Sequence, residues 1–319
     1  MRWLITGAGG YIGAHLLDHL RNANQPTIPL TGKSSSSHER LRALDIRGFE
    51  VPLSDLAKLR QTFKSFNPDV VVHLAALKSP EESNRLPDLY LNHNHEALKN
   101  VFKVATEFDV QVFINASSSS IYGDLDSLSI RESDFGTPLS AYGISKQSGE
   151  KFLDSQVDSK IKISSLRFFN VIGSKKYALR EKASFHLVPA TIERLKIGDR
   201  PIIFGQGLPT RDGTAMRDYV HVVDAVEAID KIARLLASRS TIEQSPNHLK
   251  VNIGSGHGTS VLEIVNLIQE NLQTNLRPIF YPARDGDPIS SISNISLAKE
   301  LIEFKPIFQL DEMIKSCIE

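Results

Sequence analysis

The stretch that decides the fold is Leu4–Leu20, LITGAGGYIGAHLLDHL. A short apolar run, RWLIT (residues 2–6), enters Gly7, Gly10 and Gly13 at three-residue steps, and the apolar residues beyond recur at helical spacing. Glycines in a strand-to-helix turn allow a tight reversal, let the backbone approach a pyrophosphate, and let the helix pack closely on the strand. The helix N-terminus then faces the anion. A glycine motif alone is weak, but here the strand before it and the helix after it supply the context it requires. Gly7, Gly10, Tyr11, Ile12 and Gly13 are therefore candidate dinucleotide contacts.

Working outward, further β-rich runs alternate with amphipathic helical patterns. The strand candidates are PTIPL (26–30), DVVVHLAAL (69–77), VQVFINAS (110–117) and KISSLRFFNV (162–171). Between them IGAHLLDHLRN, DLAKLRQTFKSF, HEALKNVFKVATEF and AYGISKQSGEKFLDSQ place apolar residues at three- and four-residue steps. Such alternation predicts an α/β fold, a Rossmann-type doubly wound parallel sheet with helices on both faces. After Asn170 the pattern loosens into a Gly/Pro-rich stretch, GDRPIIFGQGLPTRDGTAMRD, followed by a helical VDAVEAIDKIARLLA. The expected division is a dinucleotide-binding domain over 1–170, with segments near 215–255 returning to it, and a smaller α/β substrate lobe over 171–319.

Composition narrows the function. The 37 basic residues balance 37 acidic ones with no block of like charge, so nothing marks a nucleic-acid or membrane partner. The single cysteine, Cys317, can build neither a disulfide framework nor a zinc site. Met1-Arg2 leads straight into a short apolar run, and no stretch approaches a membrane span, so a cytosolic protein is expected.

Tyr142 and Lys146 in AYGISK lie four apart on an expected helix, hence on one face. They follow a strand ending in NASSSSIYG, which gathers hydroxyls at the carboxyl edge of a parallel sheet, where such sheets bind ligands. A tyrosine with an ordinary pKa of about 10 needs a downward shift of roughly 3 units, about 4 kcal/mol, to act as a base near neutrality. A lysine and a bound cation can supply that, and a serine hydroxyl can hold geometry and pass the proton.

These elements, with HLAALKS and LRFFN, resemble the extended short-chain dehydrogenase/reductase superfamily and its NAD-dependent epimerase/dehydratase branch. FGQGLPTRDGTAMRDYVHVVD (204–224) and ARDGD (283–287) are most similar to its UDP-glucose 4-epimerases. The resemblance covers essentially the whole chain. It implies a catalytic trio of Tyr142 as base, Lys146 on the nicotinamide ribose and Ser118 in the proton path. It implies transient oxidation at C4 of a UDP-sugar by tightly held NAD, and rotation of a 4-keto sugar before hydride returns. It further implies Asp55 and Leu56 at the adenine, and Leu74, Ala75, Ala76, Lys78, Asn94 and Phe169 along the dinucleotide. Ser119, Asn170, Arg217, Arg284 and Asp287 would meet the UDP-sugar, with Leu187 and Phe204 beside the uracil. A homodimer through the helices starting near Asn94 and Ala141 is also implied.

Several positions depart from the family pattern. His186 replaces an asparagine near the uridine, and the segment from Gly173 to His186 is short. Ser291, where the sugar pocket is sized, resembles members that accept N-acetylated sugars. Thr31 stands where an acidic residue usually meets the adenosine ribose, and Lys33 with Ser34 could bind a 2′-phosphate, so NADP is weighed beside NAD. Beyond Thr31, Ser35–Ser37 read as a mobile surface loop. Competing readings are a UDP-glucuronate 4-epimerase, which the serine run also resembles, a sugar-nucleotide 4,6-dehydratase, whose acidic pair is replaced by Ser119 and Ser120, a net dehydrogenase, and a non-catalytic dinucleotide sensor.

Overall fold

The computed structural model describes residues 1–125, 127, 129–182, 185–238 and 248–319. In chain order the strands are Trp3–Thr6 (β1), Thr27–Thr31 (β2), Phe49–Glu50 (β3), Val70–His73 (β4), Val112–Ser118 (β5) and Lys162–Phe168 (β6). Asn170–Ile172 (β7), Ile202–Phe204 (β8), Met216–His221 (β9), His248–Ile253 (β10), Gly258–Ser260 (β11), Ile279–Tyr281 (β12) and Ser290–Ser291 (β13) follow. Seven of them form one parallel sheet in the order β10-β6-β5-β4-β1-β2-β3. The chain winds one way from β1 to β3 and the other way from β4 onward, so the order reverses between β1 and β4. A ligand crevice opens there, outside the carboxyl ends of the strands.

Alternation along β1 builds two core layers, because successive strand side chains point to opposite faces. Trp3 and Ile5 pack with Leu16, Leu17 and Leu20 of the helix Tyr11–Asn22 and with Ile229 and Ile232 of the helix Val222–Ser238. Leu4, on the other face, joins Leu59, Phe63, Val101, Phe102 and Phe113. All four β1 residues are fully buried.

The second half supplies a smaller sheet, in which β9 pairs with β7, β11 and β13, and a separate pair, β8 with β12. Ile172, Val188, Ile192, Tyr219, Ile264, Ile268 and Met313 form its core. Within 215–255, β9 belongs to this small sheet, whereas the helix Val222–Ser238 and β10 pack on or join the large one. Residues 239–247 of that segment lie outside the described residues.

The largest difference from the sequence reading is at the serine run. Ser35–Ser37 are not a loop: they open the helix Ser35–Ala43, with Ser34 as N-cap accepting from the Ser37 N–H at 3.3 Å. Serine is a poor interior helix residue but a strong cap, so the feature that suggested a loop is what starts the helix. The strand read over 69–77 ends at His73, and the one over 162–171 divides into β6 and β7, which serve different sheets. The helix containing Ala97–Glu107 is entered through a π-turn, Leu91–Glu96.

Glycine is obligatory in the first turn. Gly7 has φ +67°, and a Cβ on Gly13 would stand 2.4 Å from the Gly7 carbonyl oxygen and 2.8 Å from Ala8 Cα. Both obstacles are backbone, which cannot rotate away. Gly13→Ala is therefore expected to lower stability by roughly 3 kcal/mol, at the upper end of overpacking effects, read as a lower denaturant midpoint.

Candidate active site

The site is assembled where β5 ends. Tyr142 and Lys146 lie on the helix Ala141–Asp154, whose entry is fixed by three side chains: Ser140 accepts from the Gly143 N–H (3.1 Å), Asn84 from Ala141 (3.1 Å) and Ser83 from Tyr142 (3.0 Å). These satisfy amides that a helix start leaves open. Lys146 Nζ donates to the Ala116 carbonyl at 2.6 Å and lies 5.9 Å from the Tyr142 ring centre. The Ser118 hydroxyl lies close enough to Tyr142 to favour its phenolate. Ser118 Oγ in turn bonds Ser120 Oγ at 3.0 Å, and Ser119 begins a 3₁₀ turn at the end of β5.

Burial controls the titration of this group. It lowers Lys146 to about 8, against an opposing pull from Glu150, and it raises Tyr142 above its ordinary value, with the Ser118 hydroxyl pulling the other way. His73, bonded through Nδ1 to Thr6 Oγ1 at 2.9 Å, falls to about 3 through burial and the nearby lysine and is neutral.

At the dinucleotide crevice the residues fit the group the motif implies. Gly10 caps the helix Tyr11–Asn22 without a side-chain bond, so its first amides face outward, and Gly7 approaches so closely that a Cβ would meet Ala75 N at 2.7 Å. Leu74 and Ala75 follow β4 and bond Thr6, with Ala76 next in the chain. Tyr11 donates to the Gly173 carbonyl at 2.5 Å, and Ile12 packs against the core. Thr31 is buried at the end of β2, while Lys33 is exposed. Asp55 N-caps the helix that begins at Leu56, accepting from Lys58 N–H at 3.1 Å. Asn94 is engaged within the protein: it accepts from Leu77 N–H at 2.8 Å and donates to Leu77 O and Ser145 Oγ, both at 3.0 Å. Phe169 packs with Ile121, Tyr122 and Ile130.

The residues read as sugar-nucleotide contacts fall into three groups. Phe204 stacks with Tyr281, with the Arg284 guanidinium 3.7 Å from its ring centre. Asp287 is exposed in the same loop, which reaches the segment leading into the helix Ala141–Asp154: a Cβ on Gly286 would stand 2.9 Å from Leu139 O. Arg217 donates to Met216 O (2.9 Å) and Pro288 O (2.8 Å), and Ser291, 6% exposed, is its register partner. Asn170, in β7, is the register partner of Tyr219 in β9. His186 precedes the helix that begins at Leu187, its ring 4.4 Å from that of Phe185, and burial together with the Lys78 charge lowers its pKa.

Other residues in the site were not foreseen. Glu181 pairs with Lys78 and, at 3.5 Å, with Arg40. Arg40, 4% exposed, also donates to Leu179 O (3.2 Å), Arg180 O (3.0 Å) and Gly9 O (3.5 Å), tying the helix after the serine run to both the glycine turn and the second half. Asp218, fully buried beside Arg217, accepts from Ser255 N–H (2.7 Å) and Oγ (2.6 Å), Gly256 N–H (3.0 Å), Ser293 N–H (3.0 Å) and the Ser293 hydroxyl. Asp218 lies inside the MRDYVH run and had a sequence signal; Arg40 and Glu181, 141 positions apart, had none.

A parallel sheet with a glycine-walled crevice at its switch point, and a Ser/Tyr/Lys cluster at its carboxyl edge, defines a dinucleotide-dependent enzyme of the short-chain dehydrogenase/reductase kind. The model of the NAD dependent epimerase/dehydratase family matches residues 3–254, and the chain belongs to that family. Its cofactor is accordingly NAD. UDP-glucose 4-epimerase 4 of Oryza sativa subsp. japonica is 30% identical over 329 residues, covering 98% of this chain and 88% of the relative. The crystal structure of UDP-glucose 4-epimerase from Bifidobacterium longum in complex with NAD+ and UDP superposes with a TM-score of 0.89 at 26% identity, over 100% of this chain and 97% of that one. The UDP-Glc/GlcNAc 4-epimerase from Campylobacter jejuni gives a TM-score of 0.82 at 27% identity, over 99% and 98%.

The depressed Lys146 sets a pH dependence. The unfolded chain binds this proton up to about 10.5, the native state only to about 8, so charging the buried lysine disfavours the fold below pH 8. The penalty fades as pH rises from 8 to 10.5. Lys146→Met should stabilise the apoprotein at pH 7 by about 3 kcal/mol, taking about 1.36 kcal/mol per pKa unit, with the advantage gone near the unfolded pKa. Urea titrations at a series of pH values check this, and an unchanged or widening gap at high pH contradicts it.

Proposed function

We propose that this chain is a UDP-hexose 4-epimerase that interconverts UDP-glucose and UDP-galactose on resident NAD. The observation that carries it is the convergence of Tyr142, Lys146 and Ser118 beside the dinucleotide crevice, in a chain whose relatives bear that activity in their names.

Bound NAD supplies the hydride chemistry, oxidising the sugar at C4 and returning the hydride to the other face of the 4-keto sugar. The chain's own residues handle the proton. Tyr142 accepts it from the 4-hydroxyl and returns it, Ser118 aligns that hydroxyl with the phenol oxygen, and Lys146 supplies a positive charge at the tyrosine ring. Gly7, Gly10 and Gly13 admit the pyrophosphate, with Tyr11, Ile12, Thr31, Lys33, Asp55 and Leu56 toward the adenosine. Leu74, Ala75, Ala76, Lys78, Asn94 and Phe169 line the remainder. Arg217 and Arg284 meet the substrate diphosphate, a role for which planar guanidinium forks are suited, together with Asn170 and Asp287. Leu187, Phe204 and His186 border the uracil, and Ser119 the sugar.

A small residue, Ser291, opposite Arg217 supports the acceptance of N-acetylated sugars, so UDP-GlcNAc and UDP-GalNAc belong to the same proposal. A cytosolic homodimer completes it: Leu86, Leu89 and Ile144 are 46%, 48% and 44% exposed on the catalytic helix and the short helical segments before it.

The test is to incubate purified protein separately with UDP-galactose, UDP-GalNAc and UDP-galacturonate, without added nucleotide, and identify the products. Conversion of the first two is expected. Conversion of the uronate alone favours the glucuronate 4-epimerase reading, and no interconversion of any of them overturns the proposal. Tyr142→Phe should lower kcat by roughly 10³-fold, and Ser291→Tyr should remove N-acetylhexosamine turnover while sparing UDP-galactose. Nucleotide released by denaturation should have the mass of NAD.

A further inference from the structure

Three consecutive residues of β5 each meet a different side chain of the helix Ala141–Asp154. Ala116 O accepts from Lys146 Nζ at 2.6 Å, Ser117 Oγ donates to Glu150 Oε1 at 2.5 Å, and the Ser118 hydroxyl faces Tyr142. The helix partners are spaced four apart, so they share one face. Two of the three contacts hold the reacting groups. The third, Ser117 to Glu150, has no part in the chemistry above.

Glu150 is 4% exposed and held from a second side. Arg167 of β6 grips it through both carboxylate oxygens, Nε to Oε1 at 3.0 Å and Nη2 to Oε2 at 2.7 Å. Arg167 continues outward, donating through Nη1 to Tyr122 OH (2.8 Å) and Glu132 O (2.9 Å), and Tyr122 donates to Asn252 Oδ1 of β10 at 2.7 Å. A chain of satisfied bonds thus runs from β10 through β6 to the helix and into β5, one residue from each catalytic anchor. A buried ion pair is weak evidence for stability, since well-packed apolar residues often serve as well. What apolar residues cannot do is fix rotation and register through directional bonds.

We infer that Glu150, clamped by Arg167, is a positioning residue that locks the catalytic helix in register on β5 so that Tyr142 meets Ser118 and Lys146 meets Ala116. The inference rests on the proposed function for its kinetic consequence alone, because the geometry it concerns exists without substrate. Glu150 has a second effect: its negative charge supports the Lys146 ammonium against burial. The other ionisable groups facing this pair are Arg167 from β6, His73 from β4, Tyr142 on the same helix, and Tyr122 and Glu132 from the segment after β5. His73 is neutral above about 3, and burial pushes Tyr122 upward, which leaves Lys146 to titrate between pH 7 and 9.

Ser117→Ala removes the strand bond and keeps the charge; Glu150→Gln removes the charge and keeps an oxygen for Ser117. Ser117→Ala should lower kcat on UDP-galactose about tenfold with KM and NAD content unchanged, the signature of lost alignment rather than lost binding. Its pH profile should match the wild type. Glu150→Gln, which puts an amide N–H against one arm of the Arg167 clamp, should also lower kcat and, in addition, shift the alkaline limb to lower pH. In urea titrations without substrate, the rise of stability with pH should begin earlier in Glu150→Gln than in the wild type. That measurement decides the matter even where the wild type turns over no sugar, a result that would fail the proposed function instead. If Glu150→Gln does not fold, Ser117→Ala carries the test. Wild-type kcat in Ser117→Ala, or activity lost only in proportion to unfolded protein, overturns the inference, as does an unmoved stability profile in folded Glu150→Gln.

Discussion

The structure depends on how closely a glycine turn can approach its neighbouring strand. β1 is four residues long, buried on both faces and paired on both edges, and it hands the chain to a helix through a turn in which Gly7 presses on Leu74 and Ala75. Because no side chain intervenes, the helix packs directly onto the strand and its first amides open into the switch-point crevice. One steric constraint thereby sets both the central packing and the anion site. β4 and β5 then bring His73 and Ser118 to the same edge, since parallel strands end together.

The second half shares the main core with that frame, through residues such as Val222, Ile229, Ile295 and Phe304, and polar contacts add direction to the attachment. Tyr11 donates to Gly173 O, Arg40 reaches three carbonyls from Gly9 to Arg180, and Asp218 gathers the 255–256 turn and Ser293 around Arg217. Each is a buried polar group with its capacity engaged, so removing one partner leaves the others exposed to a desolvation penalty. Directional bonds of this kind place a guanidinium or a hydroxyl more narrowly than apolar packing does.

The parts legible in the sequence are those that local chemistry decides. The glycines, the period of the helix after them and the Tyr142/Lys146 spacing all encode their structure within about twenty residues. The serine run was misread because its meaning is not local: Ser34 caps a helix whose docking rests on Arg40 contacts to residues 139 and 140 positions away. β7, β8, β11, β12 and β13 are two or three residues long and exist through pairing with distant partners, so no periodicity marks them. Glu150 was not read from the sequence: its significance depends on Arg167, and nothing in the sequence pairs a helix residue with the strand that follows it.

The electrostatics of Tyr142 and Lys146 bear directly on the base proposed for the site. Burial acts on both groups against charge, lowering Lys146 and raising Tyr142. Below pH 8 the lysine still carries its proton, yet burial outweighs whatever helps the phenolate, and the tyrosine stays protonated. In the proposed reaction a substrate diphosphate would add negative charge and could not correct this, and Arg217 and Arg284 would at most neutralise it. In that reaction the additional positive charge would arrive with the oxidised cofactor, which would make the tyrosine a competent base only when the hydride acceptor is in place. Desolvation of Lys146 disfavours the empty fold, and the same desolvation strengthens the field of any cation brought beside the tyrosine, because charges interact more strongly where water is excluded. The instability of the bare site and its responsiveness to the bound cofactor are thus two consequences of one burial.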